Sequence, residues 1–346
     1  MAERAKFRRV SMDWHRILQF ASALEGHQPY QGHYGEVMAH QEKQARERWS
    51  SLAMLDLKPE FKRIAGHPDA EYRGRQQESL NAIMQHSLRL LVVMATGSGK
   101  SMLFMLPASV SSGGVTIVIV PLNFLQDDML DRCDRLGIPS AKWDGRRPPY
   151  WARIVFTTPE GAATKSFGRF LDEKRMLRQL DRIVIDECHT MLESSDRWRP
   201  DVLRLSEMTG KGTQLVYLTA TLPPVLQSAF LGVAGLDRRE LDIIREESTT
   251  RPNIAYRVQE YTWGELDAAL VPLVAAKRGA YGLEAQILIY CPTVAETKRL
   301  GKVLQCPAYY REMATDEEKS RMVRGFTAGA EKLCTATTIL SLGVHA

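Results

Sequence analysis

The sequence is poor in cysteine and has no long apolar run. Its 346 residues include five cysteines, which stand apart from one another and form no C-x-x-C pair. Neither a disulfide framework nor a zinc site is therefore expected within this chain, and free thiols fit a reducing compartment. No apolar run approaches the ~18 residues of a membrane span, and the residues after Met1 lack the apolar core of a secretory signal. These absences predict a soluble intracellular protein with no membrane partner.

The composition is that of an ordinary globular protein with a mild excess of positive charge. Apolar residues make up 44% of the chain and charged residues 25%, which is close to the average for soluble domains. The length suggests two domains. The net charge of +5 fits a nucleic-acid partner but does not require one.

A strand-like apolar run at residues 90–93 leads into a glycine-rich turn and then into a second apolar run. Glycine lets backbone N–H groups converge on phosphate oxygens, and the start of the following helix adds a partial positive charge. Lys100 would then contact the β- and γ-phosphates, and Ser101 would hold Mg²⁺. The strict pattern has glycine at the place of Met94, so a turn without ligand is the alternative. The candidate phosphate-binding residues are Met94, Ala95, Thr96, Gly97, Ser98, Gly99, Lys100 and Ser101.

Two adjacent carboxylates, Asp186 and Glu187, directly follow another apolar run. Asp186 is expected to hold Mg²⁺, usually through water, and Glu187 to orient or deprotonate an attacking water. His189 could link this turn to the next motif by a hydrogen bond. That motif contains Thr219 and Thr221, whose hydroxyls would lie beside the same edge of the sheet. The alternative for residues 186–189 is a plain acidic turn.

Strand-like runs alternate with helical stretches through the first two thirds of the chain, and polar residues follow each run. This alternation predicts an α/β fold with a doubly wound parallel sheet, with ligands at the carboxyl edge of the sheet. The predicted strands of this unit are residues 90–93, 115–120, 152–157, 182–185 and 215–218. Gln76 directly precedes a predicted helix over residues 77–86, before the first strand, and its amide could read the edge of an adenine.

The flanking parts are less regular. Residues 1–66 look helical and carry no recognisable chemistry. Residues 241–258 change in character and contain a predicted hinge at residues 251–254, which leads into a second unit with strand-like runs at 286–291 and 333–337. The predicted organisation is an α-helical extension (1–66), a first α/β domain (67–250) and part of a second (251–346).

The order of these motifs resembles superfamily 2 helicases and, within them, the RecQ-like DNA helicases. Residues 94–101 resemble motif I of that family, where Met in the first place is usual, and residues 186–189 resemble a DEAH-type motif II with Cys for Ala. Residues 72–76 resemble motif 0, which implies Arg73 and Gln76 as adenine contacts. The stacking aromatic of the family falls on Asp69 here, so base stacking differs. The resemblance covers residues 70–346 and implies RecA-like domains, the first complete and the second partial.

The same resemblance implies a set of nucleic-acid contacts. Residues 121–123 resemble motif Ia, 158–160 motif Ib, 219–221 motif III, 251–254 the interdomain segment, 287–293 motif IV and 336–345 motif V. Within an aromatic-rich loop after motif II, an Arg-Pro and one Trp match, while Ser194 stands where the family has a second Trp. The implied nucleic-acid contacts are Asn123, Thr158, Trp198, Arg199, Thr293 and Thr337, with Thr219 and Thr221 as coupling residues.

The family resemblance implies ATP and Mg²⁺ as cofactors, single-stranded or forked DNA as partner, 3′-to-5′ movement and a nuclear location. The combination of motifs is most similar to fungal RecQ-like helicases encoded near telomeres. The resemblance implies no particular protein partner. The chain stops after motif V, so motif VI with its arginine finger is expected beyond Ala346. This chain alone is then expected to bind ATP and DNA but to hydrolyse and unwind poorly. The alternatives are an RNA helicase of the same superfamily, a non-catalytic ATP- and nucleic-acid-binding fragment, and a P-loop ATPase with no nucleic-acid role.

Overall fold

The computed structural model describes residues 34–111, 113–121, 123–193, 212–248, 254–262, 264–282, 284–310, 325–326 and 328–337. The chain divides into two compact units, Met1–Ser51 and Leu52–Ala346. Both sheets of the described chain belong to the second unit. The domain boundaries predicted from the sequence, after residues 66 and 250, stay predictions.

Helices and strands alternate along the described chain. No described helix is both long and apolar enough to cross a membrane. The strands are β1 Arg89–Val93, β2 Val115–Ile119, β3 Ser140–Lys142, β4 Ile154–Thr157, β5 Leu180–Ile185, β6 Gln214–Thr219, β7 Asp242–Arg245, β8 Ile287–Cys291, β9 Ala308–Tyr309 and β10 Leu333–Thr337. The α-helices are α1 Tyr34–Ala53, α2 Lys58–Ala65, α3 Gln76–Met84, α4 Met102–Val110, α5 Asn123–Arg135, α6 Pro159–Ala162, α7 Lys165–Met176, α8 Thr190–Glu193, α9 Gln227–Ala234, α10 Leu266–Tyr281 and α11 Val294–Val303.

Seven parallel strands form the main sheet in the order β3-β4-β2-β5-β6-β1-β7. From β1 the chain moves across the sheet to β3 and then returns through β4, β5 and β6 to β7. Crossovers between parallel strands are right-handed, so this reversal places the outward and returning helices on opposite faces. The predicted doubly wound parallel sheet is confirmed.

The five inner strands of this sheet are buried on both faces, as their mostly apolar residues require. One face packs against α7 and α9, where Phe167, Phe170 and Phe230 are at most 2% exposed. On the other face, Phe104 of α4 meets Phe156 of β4 edge to face, with ring centroids 6.3 Å apart. The sheet is therefore a rigid core that fixes the loops at its carboxyl edge.

The structure corrects the sequence interpretation of residues 241–258. Asp242–Arg245 is a strand, β7, that pairs with β1 from Leu90 to Val93. The sequence does not predict this strand, and of the predicted hinge at residues 251–254 only Ile254 lies within the described residues. Strand β7 has four residues with a polar one at each end and lies at one end of the strand order, so it lacks the continuous apolar pattern of a central strand.

A second, three-stranded parallel sheet has the order β8-β10-β9. Helix α11 packs against it, and Thr335 Oγ1 of β10 donates to the carbonyl of Thr297 in α11 at 2.9 Å. Gly301 allows this close approach, because a Cβ there would lie 3.0 Å from the Cβ of Ala308. The two predicted strands of this unit are confirmed, and β9 is an addition.

A buried polar contact at the amino end of β5 predicts a stability effect. The carboxylate of Asp181 accepts from Ser111 Oγ at 2.5 Å, and a Cβ at Gly114 would lie 2.0 Å from that carboxylate. Gly114→Ala is expected to lower the free energy of unfolding by about 1–3 kcal/mol, because it displaces a buried hydrogen-bonded group. Urea denaturation measures this change.

Gly232→Ala is the matched control, since this exposed glycine of α9 has no neighbour within 4 Å of an added Cβ. It is expected to stabilise by about 0.5–1 kcal/mol, as alanine does in helix interiors. Equal effects of the two substitutions would contradict the proposed role of the Asp181 contact.

Candidate nucleotide-binding site

Three neighbouring strands end together and carry the candidate nucleotide-binding residues. Strand β6 lies between β5 and β1, and Thr219 at its end is level with Val93 of β1. The backbone N–H of Met94 donates to the carbonyl of Thr219 at 3.0 Å, and the N–H of Asp186 donates to the carbonyl of Ile119 at 2.9 Å. The glycine-rich loop, the acid pair and the threonine motif therefore meet at one edge of the sheet.

The loop between β1 and α4 has the backbone of a phosphate cradle. Gly97 and Gly99 both have a φ of +82°, a conformation that favours glycine. The ammonium of Lys100 donates to the carbonyls of Met94 and Ala95 at 3.4 and 3.5 Å. A lysine ammonium has three donors, so these two contacts leave one for a ligand. The side chain of Lys100 is therefore oriented by its own loop.

Gln76 contacts the loop rather than standing free for a base. Its Nε2 donates to the carbonyls of Ser98 and Gly99 at 2.9 and 3.3 Å. Its Oε1 accepts from the backbone N–H of Arg73 at 2.8 Å, and the Arg73 side chain is exposed. A Cβ at residue 99 would lie 2.4 Å from Gln76 Nε2. Gln76 thus joins the motif 0 turn to the phosphate loop, and its role as an adenine contact stays a prediction.

The acid pair lies within the sheet edge. Asp186 is 7% exposed, and burial together with the charge of Glu187 raises its pKa, against the opposing effect of Lys100. A nearby cation stabilises the ionised carboxylate and reverses such a shift. Carboxylate and hydroxyl oxygens are ligands that Mg²⁺ accepts. Asp186 and Ser101 therefore fit a divalent cation, while the fully buried Cys188 beside them belongs to the core.

Glu187 and His189 connect the acid pair to β6. Glu187 has a φ of +48°, which turns the chain so that its carboxylate Oε2 lies 3.3 Å from His189 Nδ1. The same Nδ1 lies 2.9 Å from Thr219 Oγ1. Nδ1 of His189 therefore contacts both the Glu187 carboxylate and the Thr219 hydroxyl. Thr219 Oγ1 also accepts from the backbone N–H of Thr221 at 3.1 Å, so one chain of contacts runs from Glu187 to Thr221.

The candidate nucleic-acid contacts are spread over both sheets. Thr158 follows β4, and its Oγ1 accepts from the N–H of Gly161 at 3.2 Å. Thr293 caps α11 by accepting from the N–H of Glu296 at 3.1 Å. Thr337 ends β10, and α5 begins at Asn123. Trp198, Arg199 and residues 251–253 lie outside the described residues.

Glu246 is a site residue that the sequence interpretation missed. It directly follows β7, and its Oε2 accepts from the backbone N–H of Ala95 in the phosphate loop at 2.8 Å. The signal in the sequence is a polar residue at the carboxyl end of a strand, the same signal that identified Asp186. The sequence does not predict β7 as a strand, so this signal did not identify Glu246.

Comparisons with known proteins agree with this geometry. Residues 73–229 match the family model described as DEAD/DEAH box helicase. The "ATP-dependent DNA helicase hus2/rqh1" of Schizosaccharomyces pombe is 26% identical in an alignment 321 residues long that covers 86% of this chain and 23% of that protein. The "ATP-dependent DNA helicase Q-like 2" of Arabidopsis thaliana is 30% identical in an alignment 275 residues long that covers 74% of this chain and 38% of that protein. The chain thus spans less than half the length of either relative.

Solved structures extend the comparison to the fold. S. cerevisiae Dbp5 bound to RNA and ADP BeF3 superposes with a TM-score of 0.62 at 17% identity, covering 86% of this chain and 77% of that one. This likeness confirms the predicted RecA-like fold. At 17% identity it is evidence of the fold alone and not of function. Residues 73–229 are therefore similar to DEAD/DEAH box helicases, and most of the chain is similar to RecQ-family ATP-dependent DNA helicases.

Proposed function

We propose that this chain is the motor part of a RecQ-type ATP-dependent DNA helicase, in which ATP hydrolysis drives movement on single-stranded DNA. The observation that carries the proposal is the run of contacts at the sheet edge. Lys100, Asp186 and Glu187 have the side-chain chemistry that nucleotide hydrolysis needs, and His189 contacts both Glu187 and Thr219 on the next strand. The similarity to DNA helicases supports DNA as the polymer.

Each residue has one task in this mechanism. The N–H groups of the glycine-rich loop bind phosphate oxygens, and Lys100 contributes charge-assisted hydrogen bonds to them. Ser101 and Asp186 would hold Mg²⁺, which would neutralise negative charge on the phosphates. Glu187 orients the attacking water and accepts its proton. The contact with His189 fixes the direction of the Glu187 carboxylate.

Coupling to DNA follows from the position of Thr219. The carboxyl ends of β2, β4, β5 and β6 lie on the same edge, so Asn123, Thr158 and Thr219 follow or end strands of one rigid sheet. Contacts from such residues to the sugar-phosphate backbone grip DNA without reading its sequence, and their strength falls as salt rises. Movement of bound DNA can thus reach Glu187 through Thr219 and His189.

The finer features of the function come from the family resemblance. We include in the proposal the 3′-to-5′ direction, a preference for single-stranded or forked DNA, the adenine contacts of Arg73 and Gln76, and work in the nucleus. Contacts of Trp198, Arg199, Thr293 and Thr337 with the DNA backbone or bases belong to the same proposal. A strand-displacement assay on substrates with 3′ or 5′ single-stranded tails tests the direction.

An RNA helicase is the second candidate, because the Dbp5 structure that shares the fold holds RNA. Stimulation of ATP hydrolysis by equal lengths of single-stranded DNA and RNA discriminates the two. We expect the larger stimulation with DNA, and a larger stimulation with RNA would favour the second candidate.

The His189–Thr219 contact predicts a specific loss of coupling. Thr219→Val and His189→Ala are each expected to reduce the stimulation of ATP hydrolysis by single-stranded DNA about tenfold, while the Kd for ATP changes less than about threefold. The reason is that each variant removes one side of the same hydrogen bond.

The double variant separates this contact from general damage. If the two side chains act through one hydrogen bond, the double variant loses no more than either single variant. Additive losses would show that the two residues act independently and would contradict the coupling route.

A further inference from the structure

The carboxylate of Glu246 lies beside the phosphate loop, where a negative charge would repel the phosphates of a nucleotide. Glu246 follows β7, and its own N–H donates to the carbonyl of Val93 at 2.9 Å, which fixes its backbone to the end of β1. From there its side chain reaches the phosphate loop, where Oε2 accepts from the N–H of Ala95 at 2.8 Å. The sequence separation of 151 residues makes this a tertiary contact and not a local turn.

The contact with Ala95 bears on Lys100 through a single peptide group. A peptide bond is planar, so the N–H of Ala95 and the carbonyl of Met94 belong to one rigid plane and point in opposite directions. Glu246 holds the N–H end of this plane, and the carbonyl end accepts from the ammonium of Lys100 at 3.4 Å. Fixing one end fixes the other, so Glu246 helps to orient Lys100 without touching it.

Gly74 provides an independent sign that this position of the carboxylate is built into the fold. Gly74 has a φ of +47°, and a Cβ at this residue would collide with Oε1 of Glu246. The turn that contains Arg73 and Gln76 therefore leaves room for the Glu246 side chain. One oxygen of Glu246 faces this turn while the other holds the phosphate loop.

We propose that Glu246 is a positioning residue for nucleotide binding, which orients the Met94–Ala95 peptide and, through it, the Lys100 ammonium toward the phosphates of the nucleotide. This inference rests on the proposed function, because it assumes that the loop binds a nucleoside triphosphate. The role depends on a hydrogen-bond acceptor at the right distance rather than on the negative charge, which would itself repel phosphates.

Two substitutions of Glu246 separate the effect of side-chain length from the effect of negative charge. Glu246→Asp keeps the charge but is one methylene too short for Ala95, and Glu246→Gln keeps an acceptor oxygen at the same reach without the charge. We expect Glu246→Asp and Glu246→Ala to raise the Kd for ATP with Mg²⁺ about tenfold, as the loss of one hydrogen bond would. Glu246→Gln should stay within about threefold of the unaltered chain.

Two further measurements exclude a merely structural role. The Kd for AMP, which has no β- or γ-phosphate for Lys100, is expected to change less than about twofold in all three variants. Glu247→Ala is the matched control, because the Glu247 side chain is 94% exposed and lies 3.9 Å from Arg75. It should leave both dissociation constants unchanged. Isothermal titration calorimetry of the whole chain with each nucleotide supplies all these values.

The outcomes distinguish this inference from the proposed function. If the unaltered chain does not bind ATP, the proposed function fails. If it binds ATP and Lys100→Ala abolishes binding, but Glu246→Asp and Glu246→Ala bind as the unaltered chain does, the inference alone is overturned. Tighter ATP binding by Glu246→Gln and Glu246→Ala, with Glu246→Asp unchanged, would also overturn it, since charge would then decide. An equal loss of ATP and AMP binding would mark Glu246 as structural only.

Discussion

Lys100→Ala is expected to raise the Kd for ATP by about 100-fold or more, which removes measurable binding in most assays. The ammonium of Lys100 contacts the carbonyls of Met94 and Ala95 and keeps one donor for the phosphates. Charge-assisted hydrogen bonds contribute about 1.5–3 kcal/mol each, and removing the cation also leaves phosphate charge uncompensated. Isothermal titration calorimetry with ATP and Mg²⁺ measures the change.

Lys165→Ala is the matched control for the loss of one positive charge. Lys165 is exposed at the first position of α7. This variant is expected to bind ATP as the unaltered chain does. If the Kd of Lys100→Ala for ATP were within about threefold of that of the unaltered chain, the loop between β1 and α4 would not bind the nucleotide phosphates through Lys100.

Glu187→Gln is expected to slow ATP hydrolysis by about 10²–10⁴-fold, the range that general bases contribute, with ATP binding nearly unchanged. The carboxylate of Glu187 is fixed by its contact with His189 and by the left-handed backbone at residue 187. The amide of glutamine has the same shape but does not accept a proton from water. Single-turnover hydrolysis together with calorimetric ATP binding separates the two effects.

Glu240→Gln serves as the control for this variant, because Glu240 is exposed in the short turn before β7. It should hydrolyse ATP at the rate of the unaltered chain. A Glu187→Gln variant that hydrolyses ATP normally would exclude Glu187 as the base. A variant that fails to bind ATP would show that Glu187 supports the site's structure instead.

The sequence predicts those parts of the site that follow central strands. The phosphate loop and the acid pair come directly after β1 and β5, whose burial makes their apolar runs continuous. Parallel strands end at one edge, so the meeting of these motifs with Thr219 follows from the fold class. The order of the seven strands could not be read in this way, because it depends on which crossovers the chain takes.

Side-chain contacts across the fold were beyond the reach of sequence patterns. Gln76 donates to loop carbonyls 22 and 23 residues away, and nothing local distinguishes that role from a contact with a base. Glu246 was missed for a second reason. Its strand, β7, has only Ile244 fully buried at the end of the sheet, so the apolar run that precedes Asp186 has no counterpart before Glu246.

The proposal that this chain is a DNA-stimulated ATPase motor is tested by ATP hydrolysis measured with and without single-stranded DNA. The rate need not be high, since the ratio of the two rates decides. We expect DNA to raise the rate of ATP hydrolysis by the unaltered chain. The variants Lys100→Ala and Glu187→Gln should show no hydrolysis in either condition. A rate that DNA leaves unchanged, or hydrolysis that survives in both variants, would contradict it.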